Sequence, residues 1–297
     1  MTDTATTAYV TDDAEGESWR LMLGDSCERL GELDDNSIDL SVYSPPFASL
    51  YTYSPSERDL GNSATDDEFF THYTFILAEL LRVTKPGRNS CVHVQQVTTS
   101  KANHGYVGMR DFRGDVIRAH QDAGWIFYGE VTVNKDPQAQ AIRTKAHCLM
   151  FQTLERDSAA NRPALADYLL MFKKPGDNAV AVKPDVTRDE WIKWAHPVWW
   201  DIRESDTLNY QTAREDQDER HICPLQLSFI ERCVRLWSNP GELVLSPFAG
   251  IGSEGHVSIM QGRRFIGCEL KASYWASAVA NLKAAEYQKS LPTLFDT

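Results

Sequence analysis

Apolar positions in this chain fall into two kinds of run. Short, largely apolar stretches read as strands, the one at 38–43 as a buried strand: residues 19–23, 38–43, 90–96, 125–133, 147–153, 168–172, 243–245 and 264–268. Between them apolar residues recur at helical spacing. Phe69, Phe70, Tyr73, Ile76, Leu77, Leu80 and Leu81 predict a helix over residues 66–83, with Asp66 as its cap and Lys85-Pro86-Gly87 as its stop. Further helices are predicted over residues 26–33, 112–123, 224–236, 255–261 and 273–287. Strands alternating with helices predict an α/β fold built on a mostly parallel sheet. Residues 48–62 are polar and aromatic and read as a mobile loop. From residue 177 to 220 the periodicity fades, and this stretch, which holds Trp191, Trp194, Trp199 and Trp200, reads as an inserted subdomain or long loops. Residues 1–18 carry five acids and no Lys or Arg, so they read as a disordered lead-in without the pattern of a signal peptide.

Composition narrows the picture. At 297 residues the chain fits one large domain or a domain with an insertion. A net charge of −12 argues against a surface that coats nucleic acid indiscriminately, but residues 134–175 hold seven basic and four acidic side chains, a local +3. The six cysteines include no Cys-x-x-Cys pair, which argues against a zinc site or a disulfide framework and fits a reducing cytoplasm. No apolar run approaches 18 residues, so no membrane-spanning helix is expected.

Two places carry candidate chemistry. The first is Ser44-Pro45-Pro46-Phe47, directly after the strand at 38–43. Two prolines neither continue a sheet nor open a helix together, so the strand stops there. Ligands of open α/β sheets bind at that carboxyl edge. The Ser44 hydroxyl and the Pro45 carbonyl would accept hydrogen bonds from an exocyclic NH2, while Phe47 stacks on a ring. A Pro-Pro loop with a packed phenylalanine is the plainer reading.

The second place is the turn from Ser246 to Gly255, between a strand and a helix. Gly250-x-Gly252-x-x-Gly255 matches a nucleoside-cofactor fingerprint, and Glu269 lies 19 positions after Gly250, where an acid would hold ribose hydroxyls. A dinucleotide oxidoreductase usually carries this unit at the start of its sheet. Here only the 28 residues after Glu269 follow, so upstream strands must complete the sheet.

This combination resembles the amino-group DNA methyltransferases that use S-adenosylmethionine, in the permuted beta class where the catalytic motif precedes the cofactor motif. The resemblance runs from about Trp19 to Leu282. It rests on Leu23-Gly24-Asp25, on Asp39-Leu40 through Phe47, on Pro247-Phe248-x-Gly250-x-Gly252 with Glu269, and on Lys85-Pro86-Gly87 and His221-Ile222-Cys223-Pro224. It implies a Rossmann-like class I methyltransferase sheet, with a catalytic half over 19–133, a target-recognition region with sheet-completing strands over 134–220, and a cofactor half over 221–297. It assigns the flipped base to Ser44, Pro45, Pro46 and Phe47. It assigns the cofactor to the turn of Ser246, Pro247, Phe248, Gly250, Gly252 and Ser253, with Glu269 on the ribose, Asp25 on the adenine amino group, and His221, Pro224 and Gln226 bordering the methionine end. Ser at the first catalytic place is associated with cytosine N4, and Asp or Asn with adenine N6, the alternative.

The chain departs from the family pattern in having Ser246 where Asp is usual and Phe47 where Tyr is usual. Lys135, Arg143 and Lys145 are candidate contacts to DNA phosphates. The implied partner is double-stranded DNA, inside a prokaryotic or phage-encoded cytoplasmic setting. Dimers are frequent in the family, and the sequence leaves open whether a separate cognate restriction enzyme accompanies the protein. Rival readings are an NAD-dependent oxidoreductase, an RNA or protein methyltransferase, and a catalytically dead DNA-binding module.

Overall fold

Alternate residues of the central strands point into two different cores. Tyr43 of one strand faces one core while Leu40 and Val42 face the other. Neighbouring strands repeat the pattern, with Val92 against Cys91, Leu245 against Val244, and Ile266 against Phe265. Side chains of a strand alternate between faces, so a sheet covered on both sides needs apolar residues at nearly every position. That is why these strands read as continuous apolar runs.

The computed structural model describes residues 10–47, 60, 65–99, 101–138, 155, 157, 159, 163–209 and 224–291. The strands are β1 (Asp12–Glu15), β2 (Trp19–Leu23), β3 (Ile38–Tyr43), β4 (Thr84–Gln95), β5 (Val97–Thr99), β6 (Gly108–Arg110), β7 (Ile126–Val133), β8 (Asp167–Lys173), β9 (Val198–Trp199), β10 (Leu243–Ser246) and β11 (Arg264–Glu269). The helices are α1 (Ser26–Arg29), α2 (Asp66–Val83), α3 (Lys101–His104), α4 (Phe112–Asp122), α5 (Arg188–Trp194), α6 (Leu227–Trp237), α7 (Ser253–Met260) and α8 (Ala272–Ser290). Among the described residues the main sheet has nine strands in the order β1-β2-β11-β10-β3-β4-β8-β7-β9. Neighbours from β2 to β4 are parallel, and β8 runs against both β4 and β7. The expected α/β architecture with a mostly parallel sheet is present. Phe69 and Tyr73 of α2 and Phe112 and Val116 of α4 pack in one core. Phe229 of α6, Val257 of α7 and Leu282 of α8 pack in the other.

Several expectations need correction. Residues 12–15 of the supposed lead-in form β1, because Asp13 pairs with Arg20 and with Arg29 as the strand edges meet. Thr65, not Asp66, caps α2, its hydroxyl accepting from the Glu68 amide at 3.2 Å. Lys85-Pro86-Gly87 does not separate helix from strand but lies inside β4. Pro86 falls where the pairing of β3 with β4 shifts register, so its missing N–H breaks no ladder. Among the described residues of the segment after residue 177, Trp199 and Ile202 are buried in the second core rather than in a core of their own. Helix α5 has a capping box of Thr187 and Glu190, and Glu190 also pairs with Arg235 of α6 at 2.8 Å. The strand expected at 147–153 and nearly all of the loop at 48–62 fall outside the described residues.

Gly255 sets how closely α7 approaches the sheet. A Cβ there would lie 2.5 Å from Leu282 Cδ2 and 2.6 Å from Phe265 Cδ1. Gly255→Ala is expected to destabilise the protein by about 1–2 kcal/mol in urea unfolding, because overpacking a buried contact outweighs the gain in helix propensity of up to ~1 kcal/mol. An unchanged or higher unfolding midpoint would contradict that packing.

Candidate active site

Parallel pairing brings the two sequence motifs together. Val244 and Leu245 of β10 sit in register with Leu40 and Ser41 of β3. Both strands therefore end at the same edge, which places Ser44 to Phe47 beside Ser246 to Phe248. Tyr43 and Phe248 touch across the gap, with ring centroids 5.9 Å apart. The ends of β2 and β11 lie on the same edge and bring Asp25 and Glu269.

The glycine turn is held from below. Ala249 N donates to Cys268 O at 2.8 Å, and Asn281 Nδ2 donates to Ile251 O at 2.8 Å. Gly250 (φ 53°) and Gly252 (φ 86°) are left-handed, the region glycine tolerates best. A Cβ on Gly252 would meet Ala278 Cβ at 3.2 Å, whereas one on Gly250 would meet nothing within 4 Å. Gly250 thus faces open space while Gly252 packs against α8.

Glu269 ties the turn to the next strand end. Its Oε2 accepts from Gly250 N at 2.8 Å and its Oε1 from Lys271 N at 2.8 Å. Asp25 caps α1, accepting from Cys27 N at 2.9 Å, and its neighbour Ser26 donates through Oγ to the Pro247 carbonyl. Helix α1 is thereby fastened to the glycine turn. Ser253 is the first residue of α7 and is buried.

Two buried polar atoms at this edge lack a partner among the described residues: Ser246 Oγ and Gln226 Oε1. Burying an unpaired acceptor is unfavourable by about 1–3 kcal/mol, so such atoms await a ligand or water. Gln226 caps α6 by position, and Phe229, one turn on, packs edge-on against His93 with centroids 5.2 Å apart. Pro224 is half-buried just before it, and His221 lies outside the described residues.

Phe47 is half-buried. It meets the rings of Phe112 and His93 edge-on, with centroids at 5.9 and 6.4 Å. Pro45 is buried, and Ser44 and Pro46 are partly accessible. Lys135, expected on a DNA-facing surface, is instead buried, with its ammonium 2.6 Å from Asp167. Its charge is already paired and is not presented to a phosphate. Arg143 and Lys145 lie outside the described residues.

Sequence reading missed Glu254, which is 4% exposed in the first turn of α7. Burial, with the charge of Glu269 adding to it, raises its pKa to about 8. It also missed His93, which meets Ser44, and Asp167 and Gln95, which lie behind His93. The only sequence signal for them was polar residues inside strands otherwise apolar.

The model of a DNA methylase family, N6_N4_Mtase, matches residues 38–280. The chain is 26% identical over 292 residues to Type II methyltransferase M.XycI of Xanthomonas campestris pv. cyanopsidis, covering 89% of this chain and 87% of that protein. The fold is similar to TTHA0409 of Thermus thermophilus, solved in complex with S-adenosyl-L-methionine, with a TM-score of 0.67 and 21% identity over 89% of this chain and 92% of that one. It is also similar to PvuII DNA methyltransferase (cytosine-N4-specific), with a TM-score of 0.64 and 17% identity over 92% of this chain and 93% of that one.

Proposed function

Since the chain belongs to the N6_N4_Mtase family of DNA methylases, we propose that it methylates the exocyclic amino group of a flipped DNA base, cytosine N4, using S-adenosylmethionine. The observation that carries this reading is the meeting of residues 44–47 with the glycine turn at the ends of adjacent parallel strands. One grips a flat amino-bearing ring and the other admits a nucleoside cofactor within reach of it.

The residues present fit that cofactor. Ser246 Oγ and Gln226 Oε1 are buried acceptors without partners, and the face of Gly250 is open. Phe248, Gly250, Gly252, Ser253 and the neighbouring Pro247 would hold the methionine part. Glu269 would take the ribose hydroxyls and Asp25 the adenine amino group, each beside the backbone bond it already makes. When bound, the cofactor supplies an electrophilic methyl on sulfur. Ser246 provides no charge where the family usually has Asp, so the hydroxyl alone meets the ligand there.

The chain's own work is positioning and electrostatics. An exocyclic base nitrogen is a poor nucleophile because its lone pair is conjugated into the ring. Hydrogen bonds from its NH2 to Ser44 Oγ and the Pro45 carbonyl favour a tetrahedral nitrogen with a directed lone pair. The exposed part of Phe47 offers the extruded base a stacking surface in place of its neighbours in the duplex. Ser44 supports cytosine as the base. DNA contacts would come from the basic stretch at 134–175, through Arg143 and Lys145 rather than Lys135.

The test is mass spectrometry of nucleosides from duplex DNA incubated with S-adenosylmethionine and either the protein or a Ser44→Ala/Phe47→Ala variant. N4-methylcytosine made by the protein and reduced on the order of 100-fold or more in the variant is the expected result. N6-methyladenine would keep the mechanism and replace the base. The absence of any methylated base across varied DNA would overturn the reading.

A further inference from the structure

Ser44 heads a line of polar contacts that reaches well beyond its motif. Its Oγ lies 3.2 Å from Nδ1 of His93 and 3.2 Å from the His93 carbonyl oxygen. On the far side of the ring, His93 Nε2 lies 2.9 Å from Oδ2 of Asp167. The same Oδ2 is 2.6 Å from Lys135 Nζ, and Asp167 Oδ1 accepts from Gln95 Nε2 at 2.8 Å. His93, Lys135 and Asp167 are all buried.

Valence fixes the protons. Burial alone would raise the pKa of Asp167, but His93 and Lys135 beside it hold it below the usual carboxylate range. The ionised carboxylate can only accept, so the hydrogen between the two side chains sits on His93 Nε2. In the neutral ring Nδ1 is then bare. Ser44 owns one hydroxyl hydrogen, and both His93 atoms beside it are acceptors. That hydrogen is directed at His93, and the remaining lone pairs of Ser44 are left for a donor from outside.

We propose that His93, held by Asp167 and Lys135, is a positioning residue that fixes Ser44 as an acceptor and takes, through Ser44, the proton the target amino group must lose. The proposal rests on the amino-methylation reading above. The amino nitrogen forms a bond to the methyl carbon with its lone pair. The carbon–sulfur bond of the sulfonium donor breaks, its electron pair stays on sulfur, and the nitrogen becomes positive. One N–H bond then breaks. Its proton passes to Ser44 Oγ while the hydroxyl proton of Ser44 passes to His93 Nδ1. The amine and Ser44 end neutral, and the charge rests on an imidazolium facing Asp167. The charged groups facing His93 are Asp167 from β8 and Lys135 just beyond β7. From the turn after β3 and from α6 it meets Ser44, Phe47 and Phe229, which are uncharged.

Nitrogen NMR of the full chain with labelled histidine tests the geometry without any reaction. The His93 signals, assigned by their loss in His93→Gln, are expected to show Nε2 protonated and Nδ1 bare. The opposite tautomer would overturn the proposal. Single-turnover methylation of duplex DNA tests the chemistry. His93→Gln is expected to slow it on the order of 100-fold and to leave S-adenosylmethionine affinity unchanged. Methylation by the unaltered protein with an equal rate in the variant would overturn the relay alone. An unaltered protein that methylates no base would overturn the amino-methylation reading and the relay together.

Discussion

Asp167→Ala is expected to lower the unfolding free energy by about 3–5 kcal/mol, the usual loss when one partner of a buried ion pair is removed. Lys135 explains the size. Its side chain is 4% exposed and its ammonium has Asp167 at 2.6 Å. Without the carboxylate, a buried cation is left to be desolvated or to give up its proton. His93 Nε2 and Gln95 Nε2 lose their acceptor as well. Lys135→Met added to Asp167→Ala is expected to recover part of the loss, because the stranded charge is then gone. Urea unfolding of the two variants checks this. A loss below about 1 kcal/mol in the single variant would place the pair in a far wetter setting than its burial indicates. The carboxylate is ionised in the fold at pH values where the unfolded chain, at the ordinary 3.8, still binds a proton. Its contribution is therefore present above pH 3.8 and lost as the pH falls below that value.

Glu254 carries the opposite pH dependence and an effect of similar size. Its folded pKa is about 8 against an ordinary 4.5, because burial and then the charge of Glu269 disfavour ionisation. Below pH 4.5 both folded and unfolded chains hold the proton, and the favourable term is whole. Between 4.5 and 8 only the folded chain holds it, so stability falls by about 1.4 kcal/mol per pH unit. Beyond pH 8 the term is gone, a total on the order of 4–5 kcal/mol. Glu254→Gln cannot ionise and is expected to remove this slope. Unfolding midpoints of the two proteins at about pH 5 and about pH 8.5 would show the variant gaining several kcal/mol relative to its parent as the pH rises. Parallel pH dependences would mean that Glu254 ionises freely in the fold.

The helix over Asp66–Val83 and the strand over Ile38–Tyr43 were legible residue by residue, because burial of one face or both dictates their spacing. The two motifs were legible because glycine and proline act locally, through φ and the missing N–H. The contacts around Ser44 were not. His93 follows Ser44 by 49 positions, and Asp167 follows His93 by 74. Nothing local marks a polar residue as one that will meet another across a sheet. The same reason explains Lys135, whose charge suggested phosphate until β7 and β8 placed it against Asp167. Short edge strands such as β1 and β9 depend on pairing rather than on their own pattern. Asp12–Glu15 is acidic and exposed, so composition alone suggested disorder.

The place of β10 and β11 between β2 and β3 also orders events during synthesis. Tyr43 and Leu243 stand 200 positions apart, yet their strands are neighbours. Closing a connection of that length is about 2 kcal/mol less favourable than closing one of about 20 residues. At ribosomal speeds of about 5–20 residues per second, the apolar edges of β2 and β3 wait roughly 10–40 seconds for the strands that separate them. The chain emerges with the middle of its sheet missing, and the edge that joins residues 44–47 to the glycine turn is among the last features to close.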